Sequence, residues 1–247
     1  MIRLLSYFLF AFALLPLSGC GAEPNNSTTT SSTTTSTPAA QQAPTAPAAE
    51  QRSSTPAAPA IDFKAGQHYE VLRQPVRTSD PERIEVVEVF WYGCGHCYTF
   101  KPLAEEWAET LADDVMKTRL PAVWHPVMEV HARAYYTAES LDVVEKVHTA
   151  IFEAMNLRGE ELDNKKELAD LFEAAGVSRD EFEQTFDSFG VNSALTRGDS
   201  RQRAYGVRGT PELIVNGKYR ITGTMAGSHA GMLQVADHLI EKERNSR

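Results

Sequence analysis

From about residue 60 onwards, runs of apolar residues alternate with turn residues along the chain. Two of these runs, 68–72 and 84–91, are rich in β-branched and aromatic residues and predict strands. The second run is nearly continuous, which is typical of a central strand covered on both faces. A helix over about 95–111 and a third strand over 115–124 are expected next, so this order predicts a right-handed βαβ unit.

A different pattern, with apolar residues three and four positions apart, occupies residues 127–205. It predicts an all-helical block of several short helices. One helix is expected to begin at Ser178, which stands three residues before Glu181 in a capping-box spacing. The block is too large to be a loop.

The last part of the chain returns to strands, at 212–215 and 219–221. An Asn-Gly step at 216–217 separates them, and such a step between two apolar runs is the strongest short signal for a hairpin. A terminal helix is expected to begin at Ser228. The pattern therefore predicts strands at both ends of the helical block.

The first residues have the features of an export signal. A short positive start and an apolar stretch over 4–17, too short to span a bilayer comfortably, predict a signal peptide over 1–19. The Leu-Ser-Gly-Cys string that ends at Cys20 resembles the lipobox of bacterial lipoproteins, which implies that Cys20 is lipidated and becomes the mature N-terminus. Gly21, rather than Asp, implies an outer-membrane address. An ordinary signal peptide with an incidental cysteine is the alternative.

Residues 20–60 consist almost entirely of small and polar residues and Pro, with no apolar periodicity. Such a segment cannot bury enough surface to offset its chain entropy, so we expect a disordered tether. The remainder is predicted to be an α/β fold in two parts, 61–126 and 206–247. The all-helical insertion at 127–205 separates them.

Charge and cysteine content narrow the classes of function. The net charge of −9 and the pI of about 5.3 argue against nucleic acid as a main partner. The segment 1–60 holds two basic and two acidic residues, so the fold itself carries the whole net charge. Three cysteines exclude a disulfide-stapled mini-protein and a four-cysteine zinc or iron–sulfur site.

Two cysteines form the motif Cys94-Gly95-His96-Cys97, where a predicted strand gives way to a predicted helix. A helix N-terminus favours negative charge, so it should stabilise a thiolate at Cys94 and lower its pKa from about 8.5. His96 adds a hydrogen-bond donor. Cys94 is expected to attack the substrate, and Cys97 is expected to resolve the bond that this attack forms. A structural disulfide between cysteines so close together would be strained. His96 and His125 could complete a zinc site with the two thiols, but His96 lies inside the cysteine pair, which argues against this alternative. The other histidines form no cluster and are interpreted as surface or satisfied buried side chains: His68, His125, His131, His148, His229 and His238.

Three stretches, 66–72, 86–100 and 207–211, resemble the DsbA family of periplasmic thiol–disulfide oxidoreductases. The middle stretch contains both cysteines of the motif. The resemblance covers about 61–243. It implies membership of the thioredoxin superfamily and a thioredoxin fold with a helical insertion.

The resemblance also implies roles for single residues. Cys94 matches the nucleophile that forms the mixed disulfide, and Cys97 matches the resolving thiol. Pro211 matches the cis-proline that faces the disulfide, and the alternative for this position is a turn before an edge strand. Gly209 and Thr210 would bind the substrate peptide, Thr210 through its backbone.

Glu88 interrupts the apolar run 84–91, and a buried carboxylate is costly unless it has a partner or a function. It lies six residues before Cys94, where family members carry a buried acid beneath the active site. Lys117 matches the family's partnering lysine. We hypothesise that Glu88 relays the proton of Cys97 through water; the alternative is a strand residue that faces solvent.

The resemblance implies a thiol oxidase that acts on newly exported polypeptides, and the lipobox adds a lipid anchor to it. The family resemblance also implies a DsbB-like membrane quinone reductase that reoxidises the Cys94–Cys97 disulfide, with no organic cofactor. Two residues depart from the family pattern. Gly95 stands where Pro is usual, and Gly-His is what protein disulfide isomerases carry. Lys101 stands where an acidic residue is common, and its charge could partly restore oxidising character. A reductase or isomerase, and a non-catalytic peptide-binding lipoprotein, are the alternatives.

Overall fold

The computed structural model describes residues 62–247, so the predicted signal peptide, Cys20 and the whole of the predicted tether lie outside the described residues. The strands are β1 (Glu70–Val71), β2 (Ile84–Phe90), β3 (Val115–Pro121), β4 (Glu212–Val215) and β5 (Tyr219–Thr222). The helices are α1 (Gly95–Glu109), α2 (Pro126–Ser140), α3 (Val144–Leu157), α4 (Lys165–Ala174), α5 (Arg179–Phe186), α6 (Phe189–Tyr205), α7 (Gly223–Ala226) and α8 (His229–Arg244).

The five strands form one mixed sheet in the order β1-β5-β4-β2-β3. β2 and β3 are parallel and joined through α1, and the other neighbours are antiparallel. All seven residues of β2 are buried, which confirms the central strand predicted from its continuous apolar run. The sheet is thus built from both ends of the described chain.

The helical insertion is confirmed as five helices, α2–α6, over 126–205. Its apolar core reaches into the sheet part of the fold, because Phe90, Tyr92 and Cys97 pack in the same buried cluster as α2–α5. A second core lies between one sheet face and the helices α1 and α8. The insertion therefore covers the end of β2 and the start of α1.

Local signals account for the capping and turn geometry. The Ser178 side chain accepts a hydrogen bond from the Glu181 N–H at 3.3 Å, and Ser228 caps the N-terminus of α8. Asn216 and Gly217 have φ values of 50° and 61°, a left-handed pair at the centre of a tight turn that the Lys218 N–H closes by donating to the Val215 carbonyl at 3.0 Å. These three features confirm the predicted helix starts and hairpin.

Several element boundaries differ from the prediction. β1 has two residues instead of 68–72, because a turn at Gly66 bonds back to Tyr69 before the chain reaches β5. β3 ends at Pro121, which has no N–H to continue a ladder. α6 begins three residues before the predicted 192, since Ser188 caps it ahead of an unfavourable Gly190. Within 62–247, no helix is both long and apolar enough to cross a membrane.

Candidate active site

The two cysteines of the motif lie where β2 gives way to α1. Cys94 is the N-cap residue, in an extended conformation, and α1 begins at Gly95. The Cys94 thiol is partly exposed, whereas Cys97, one turn further on, is completely buried. Strand, turn and helix therefore present one sulfur to solvent and hold the other in the core.

The surroundings of Cys94 favour its thiolate and lower its pKa to about 5. The largest contribution is a hydrogen bond from the Cys97 thiol, and burial opposes it. The Thr210 side chain and the backbone N–H groups of Cys97 and His96 contribute less. The predicted direction is confirmed, but the neighbouring thiol outweighs the end of the helix.

Cys97 has the opposite electrostatics. Burial, followed by the neighbouring Cys94, raises its pKa far above that of an ordinary thiol. At neutral pH the pair therefore consists of one thiolate and one thiol. The thiolate is the more exposed of the two and is the nucleophile in thiol–disulfide exchange.

The loop before β4 faces Cys94 across the site. The Thr210–Pro211 peptide bond is cis, as the resemblance implied. In the thiol form, Cys94 Sγ donates a hydrogen bond to the Thr210 carbonyl oxygen at 3.3 Å. Pro211 is buried beneath this contact, and Gly209 and Thr210 are partly exposed. The structure thus brings the 209–211 loop and the nucleophile together.

Glu88 is buried and forms an ion pair with Lys117, with 2.5 Å between Oε2 and Nζ. The alternative of a solvent-facing residue is wrong. By strand alternation Glu88 lies on the same face of β2 as Val86 and Phe90, and α1 packs against that face. The carboxylate therefore lies beneath the helix that carries Cys97, and the proton relay stays a prediction.

Other predicted residues have simpler environments. His96 is exposed, and its ring centroid lies 6.0 Å from that of His229. Lys101 forms an ion pair with Glu105 at 2.8 Å. Glu105 therefore compensates the positive charge that Lys101 was expected to bring to the active site. Within residues 62–247, no group of three or more His, Cys, Asp or Glu side chains is placed to hold a metal ion.

A set of hydrogen bonds ties the active-site turn to the helical insertion. Trp91 Nε1 donates to the buried Nδ1 of His131 at 3.0 Å, and His131 Nε2 lies 3.1 Å from the Glu161 carbonyl oxygen. This arrangement requires a neutral imidazole with its proton on Nε2. Burial lowers the pKa of His131, which is consistent with that form. The Asn156 side chain adds a 2.8 Å hydrogen bond to the Tyr92 carbonyl.

Sequence reasoning missed Glu212, the first residue of β4. It is buried, and its Oε1 accepts a hydrogen bond from the Arg208 N–H at 3.3 Å. Its Oε2 lies 3.6 Å from the Arg220 guanidinium. Burial raises the pKa of Glu212. The carboxylate thus supports the 208–211 loop from below. The sequence holds only a weak signal for this, because Glu212 stands at the start of an apolar run and not within one.

His229 was also missed, having been interpreted as a surface or satisfied buried residue. It is the first residue of α8, and its ring packs edge-on against Phe100 of α1 with centroids 5.3 Å apart. It lies across the site from Cys94, beside His96. No local pattern in the sequence indicates this, because α1 and α8 are more than 100 residues apart.

The sheet order and the helical block define a thioredoxin fold with a helical insertion. Together with the cis-proline loop and the two thiols of unlike acidity, this fold identifies the class of thiol:disulfide oxidoreductases. Comparison with known proteins makes this specific. A family profile described as a DSBA-like thioredoxin domain matches residues 114–230. The thiol:disulfide interchange protein DsbA of Pseudomonas aeruginosa is 43% identical over 188 residues, which cover 76% of this chain and 89% of that relative.

Solved structures agree. The crystal structure of Pseudomonas aeruginosa DsbA superimposes with a TM-score of 0.72 at 41% identity, covering 74% of this chain and 96% of that one. DsbA from Xylella fastidiosa gives a TM-score of 0.70 at 32% identity, covering 74% and 98%. The chain belongs to the DsbA family and is a periplasmic thiol:disulfide oxidoreductase.

Proposed function

We propose that this protein is a thiol oxidase that donates its Cys94–Cys97 disulfide to newly exported polypeptides. A substrate thiolate attacks Sγ of Cys94, the Cys94–Cys97 bond breaks, and Cys97 leaves and takes up a proton. A second substrate thiolate then attacks the substrate sulfur of the mixed disulfide and displaces Cys94 as a thiolate. The substrate loses two electrons, and the cysteine pair gains them.

The observation that carries this proposal is the low pKa of Cys94, about 5. A thiolate stabilised in the reduced protein is a good leaving group, so the second step releases substrate readily. The same stabilisation favours the reduced pair and makes the disulfide a strong oxidant. The partly exposed Cys94 also meets substrate first, because Cys97 is buried.

Redox equilibrium with glutathione tests the direction. We expect an oxidising potential, between about −180 and −120 mV, and rapid oxidation of a reduced secreted ribonuclease. Cys94→Ser should abolish the activity. Cys97→Ser should accumulate mixed disulfides with the substrate. A potential of about −270 mV together with a Cys94 pKa of 7 or higher would instead identify a reductase.

Isomerase activity is the second candidate, and Gly95 favours it. The Gly-His dipeptide is the one found in protein disulfide isomerases, whose potential is about −180 mV, and glycine leaves the start of α1 less constrained than proline would. Recovery of a scrambled ribonuclease, with and without glutathione, distinguishes the two activities. An oxidase speeds recovery of the reduced ribonuclease and leaves the scrambled one inactive.

We further propose that Cys20 is lipidated after cleavage of a signal peptide over 1–19 and that the anchor lies in the outer membrane. The Leu-Ser-Gly-Cys string and Gly21 support this. A tether of about 40 residues, as the sequence predicts, would have a root-mean-square reach of roughly 35 Å between the anchor and the fold. That reach bears on reoxidation, because a DsbB-like quinone reductase would stand in the inner membrane.

Fractionation of cells that express the full chain tests the anchor. Wild type should incorporate labelled palmitate and sediment with outer membranes. Cys20→Ala should abolish lipid labelling and keep the protein out of the outer-membrane fraction, and Gly21→Asp should retain the protein in the inner membrane. Unlabelled, soluble wild-type protein would show that the cysteine is incidental. The redox state of Cys94 and Cys97 in the same cells, read by thiol trapping, shows whether the pair is kept oxidised.

A further inference from the structure

A polar groove of about 570 Å³ runs beside Cys94, between the cis-proline loop and the N-terminus of α8. Hydroxyls, imidazoles and guanidinium groups line it, and among its described lining residues Pro211 has the only apolar side chain of any size. We call it the active-site groove, and five of its lining residues bear on what it can bind: His96, Arg208, Thr210, Glu212 and His229.

The charge that a ligand in the active-site groove can reach is positive. Arg208 is exposed, and its guanidinium takes part in none of the ion pairs found within residues 62–247. Glu212 is 4% exposed and is compensated by Arg220, so its carboxylate cannot contact a ligand without rearrangement. Arg220 is itself occupied, since it also pairs with Glu70 at 2.5 Å. Arg208 is therefore the one accessible full charge among the described residues that line the groove.

The backbone adds to this positive potential. Two long helices, α1 and α8, begin at the groove, and the unpaired N–H groups at such ends favour anions. His96 and His229, one at each helix start, can donate hydrogen bonds into the same space. The surrounding fold carries a net charge of −9, so any attraction for acid must come from this local set of groups.

The mixed disulfide determines which residues of the substrate lie in the active-site groove. In the mixed disulfide the substrate sulfur is bonded to Cys94, and consecutive residues of an extended segment advance about 3.3–3.6 Å each. The residues one and two positions from the reacting cysteine must therefore lie along Thr210 and the groove beside it. A carboxylate at one of those positions would meet Arg208 and the helix ends.

We propose that the active-site groove selects substrate segments with an acidic residue next to the reacting cysteine, and that Arg208 determines this preference. The proposal rests on the proposed function, in that it names a substrate class for the same site. An exposed ion pair together with a helix-end interaction should favour Glu over Lys by about fivefold in rate.

The experiment measures how fast Cys94 attacks activated peptides, in full-length protein that carries Cys97→Ser. Each peptide has one cysteine, joined to thiopyridine, and differs from the others only in having Glu, Gln or Lys next to that cysteine. The Cys94 thiolate attacks the peptide sulfur, the old S–S bond breaks, and thiopyridone leaves with the electron pair and is measured by absorbance. The leaving thiopyridone is the same for every peptide, so leaving-group acidity does not distinguish the peptides.

Rates are divided by those of the same peptides with 2-mercaptoethanol, which removes intrinsic differences in reactivity. We expect the order Glu, Gln, Lys from fastest to slowest. Arg208→Glu should reverse that order, and its folding is checked by thermal unfolding. Lys166→Glu makes the same change of charge at an exposed position on α4 and should leave the order unchanged.

Equal corrected rates for all three peptides, or an Arg208→Glu variant with the wild-type order, would overturn the proposal. The assay needs no oxidative turnover, so it is independent of the glutathione potential that tests the oxidase. A reducing potential with a clear Glu preference would refute the proposed oxidase function and support the proposed groove preference. An oxidising potential with no Glu preference would support the oxidase function and refute the groove preference.

Discussion

The acidity of Cys94 depends first on the Cys97 thiol, and removing that donor is the most direct test of the site. Cys97→Ala takes away the largest favourable contribution and leaves the start of α1 and Thr210 in place. A hydrogen bond to a charged group is worth about 1.5–3 kcal/mol, which corresponds to about one to two pKa units. We therefore expect the pKa of Cys94 to rise from about 5 to about 6–7.

The matched variant is Cys97→Ser, which keeps a donor at the same position and should hold the pKa of Cys94 closer to the wild-type value. The rate of alkylation of Cys94 by iodoacetamide, followed against pH, gives the pKa in each protein. Equal values in wild type and Cys97→Ala would show that the helix end and Thr210 suffice, and that the Cys97 thiol is not the main cause of the low pKa.

The same pKa predicts how the stability of the reduced protein depends on pH. Because folding lowers the pKa of Cys94 from 9.0 to about 5, the thiolate stabilises the reduced fold fully above about pH 9 and ceases to do so as pH falls through 5. At pH 7 the contribution is about 3 kcal/mol. The oxidised protein has no thiolate and lacks this contribution. Between pH 7 and pH 4, the unfolding free energy of the reduced protein should therefore fall by that amount relative to the unfolding free energy of the oxidised protein.

Three further predictions follow from the neighbouring groups. Glu88→Gln should slow turnover and leave the pKa of Cys94 nearly unchanged; a stopped-flow assay that finds wild-type turnover would remove the proton-relay hypothesis. Gly95→Pro should raise the glutathione-measured potential by up to about 60 mV, because proline suits the first helical position and an added Cβ would meet only Asn156 Oδ1, at 3.9 Å. His131→Phe should cost about 1–3 kcal/mol in urea unfolding, since the indole N–H of Trp91 loses its acceptor, and an unchanged midpoint would contradict this.

Local chemistry explains why much of the fold could be predicted from the sequence. The β2 strand is apolar at nearly every position because both its faces are covered, and the Asn216-Gly217 turn needs residues that tolerate positive φ. Cys94 is placed by the same rules, since it stands at a strand-to-helix junction. In each case the residues that determine the local structure lie within a few positions of it, so a short stretch of sequence is enough to predict it.

The parts that could not be predicted depend on contacts between distant segments. Glu88 interrupts an apolar run, which indicates a buried carboxylate, but its partner was expected only from the family resemblance. Glu212 begins an apolar run, and neither its burial nor its partner was predicted. Strand register supplies the partner: Lys117 comes from the parallel neighbour of β2, and Arg220 from the antiparallel neighbour of β4. His229 reaches the site only because α8 packs beside α1.

The two thiols differ in whether they need a proton when they leave. Cys94 leaves as a stable thiolate when substrate is released, so this step needs no proton. Cys97 leaves when the mixed disulfide forms, and its raised pKa means that it must take up a proton within a buried cluster. Glu88 and Lys117 form an ion pair on the sheet face beneath α1, so removing the Glu88 carboxylate should slow formation of the mixed disulfide and spare its resolution. A rate that depends on Glu88 in the second step would contradict this division.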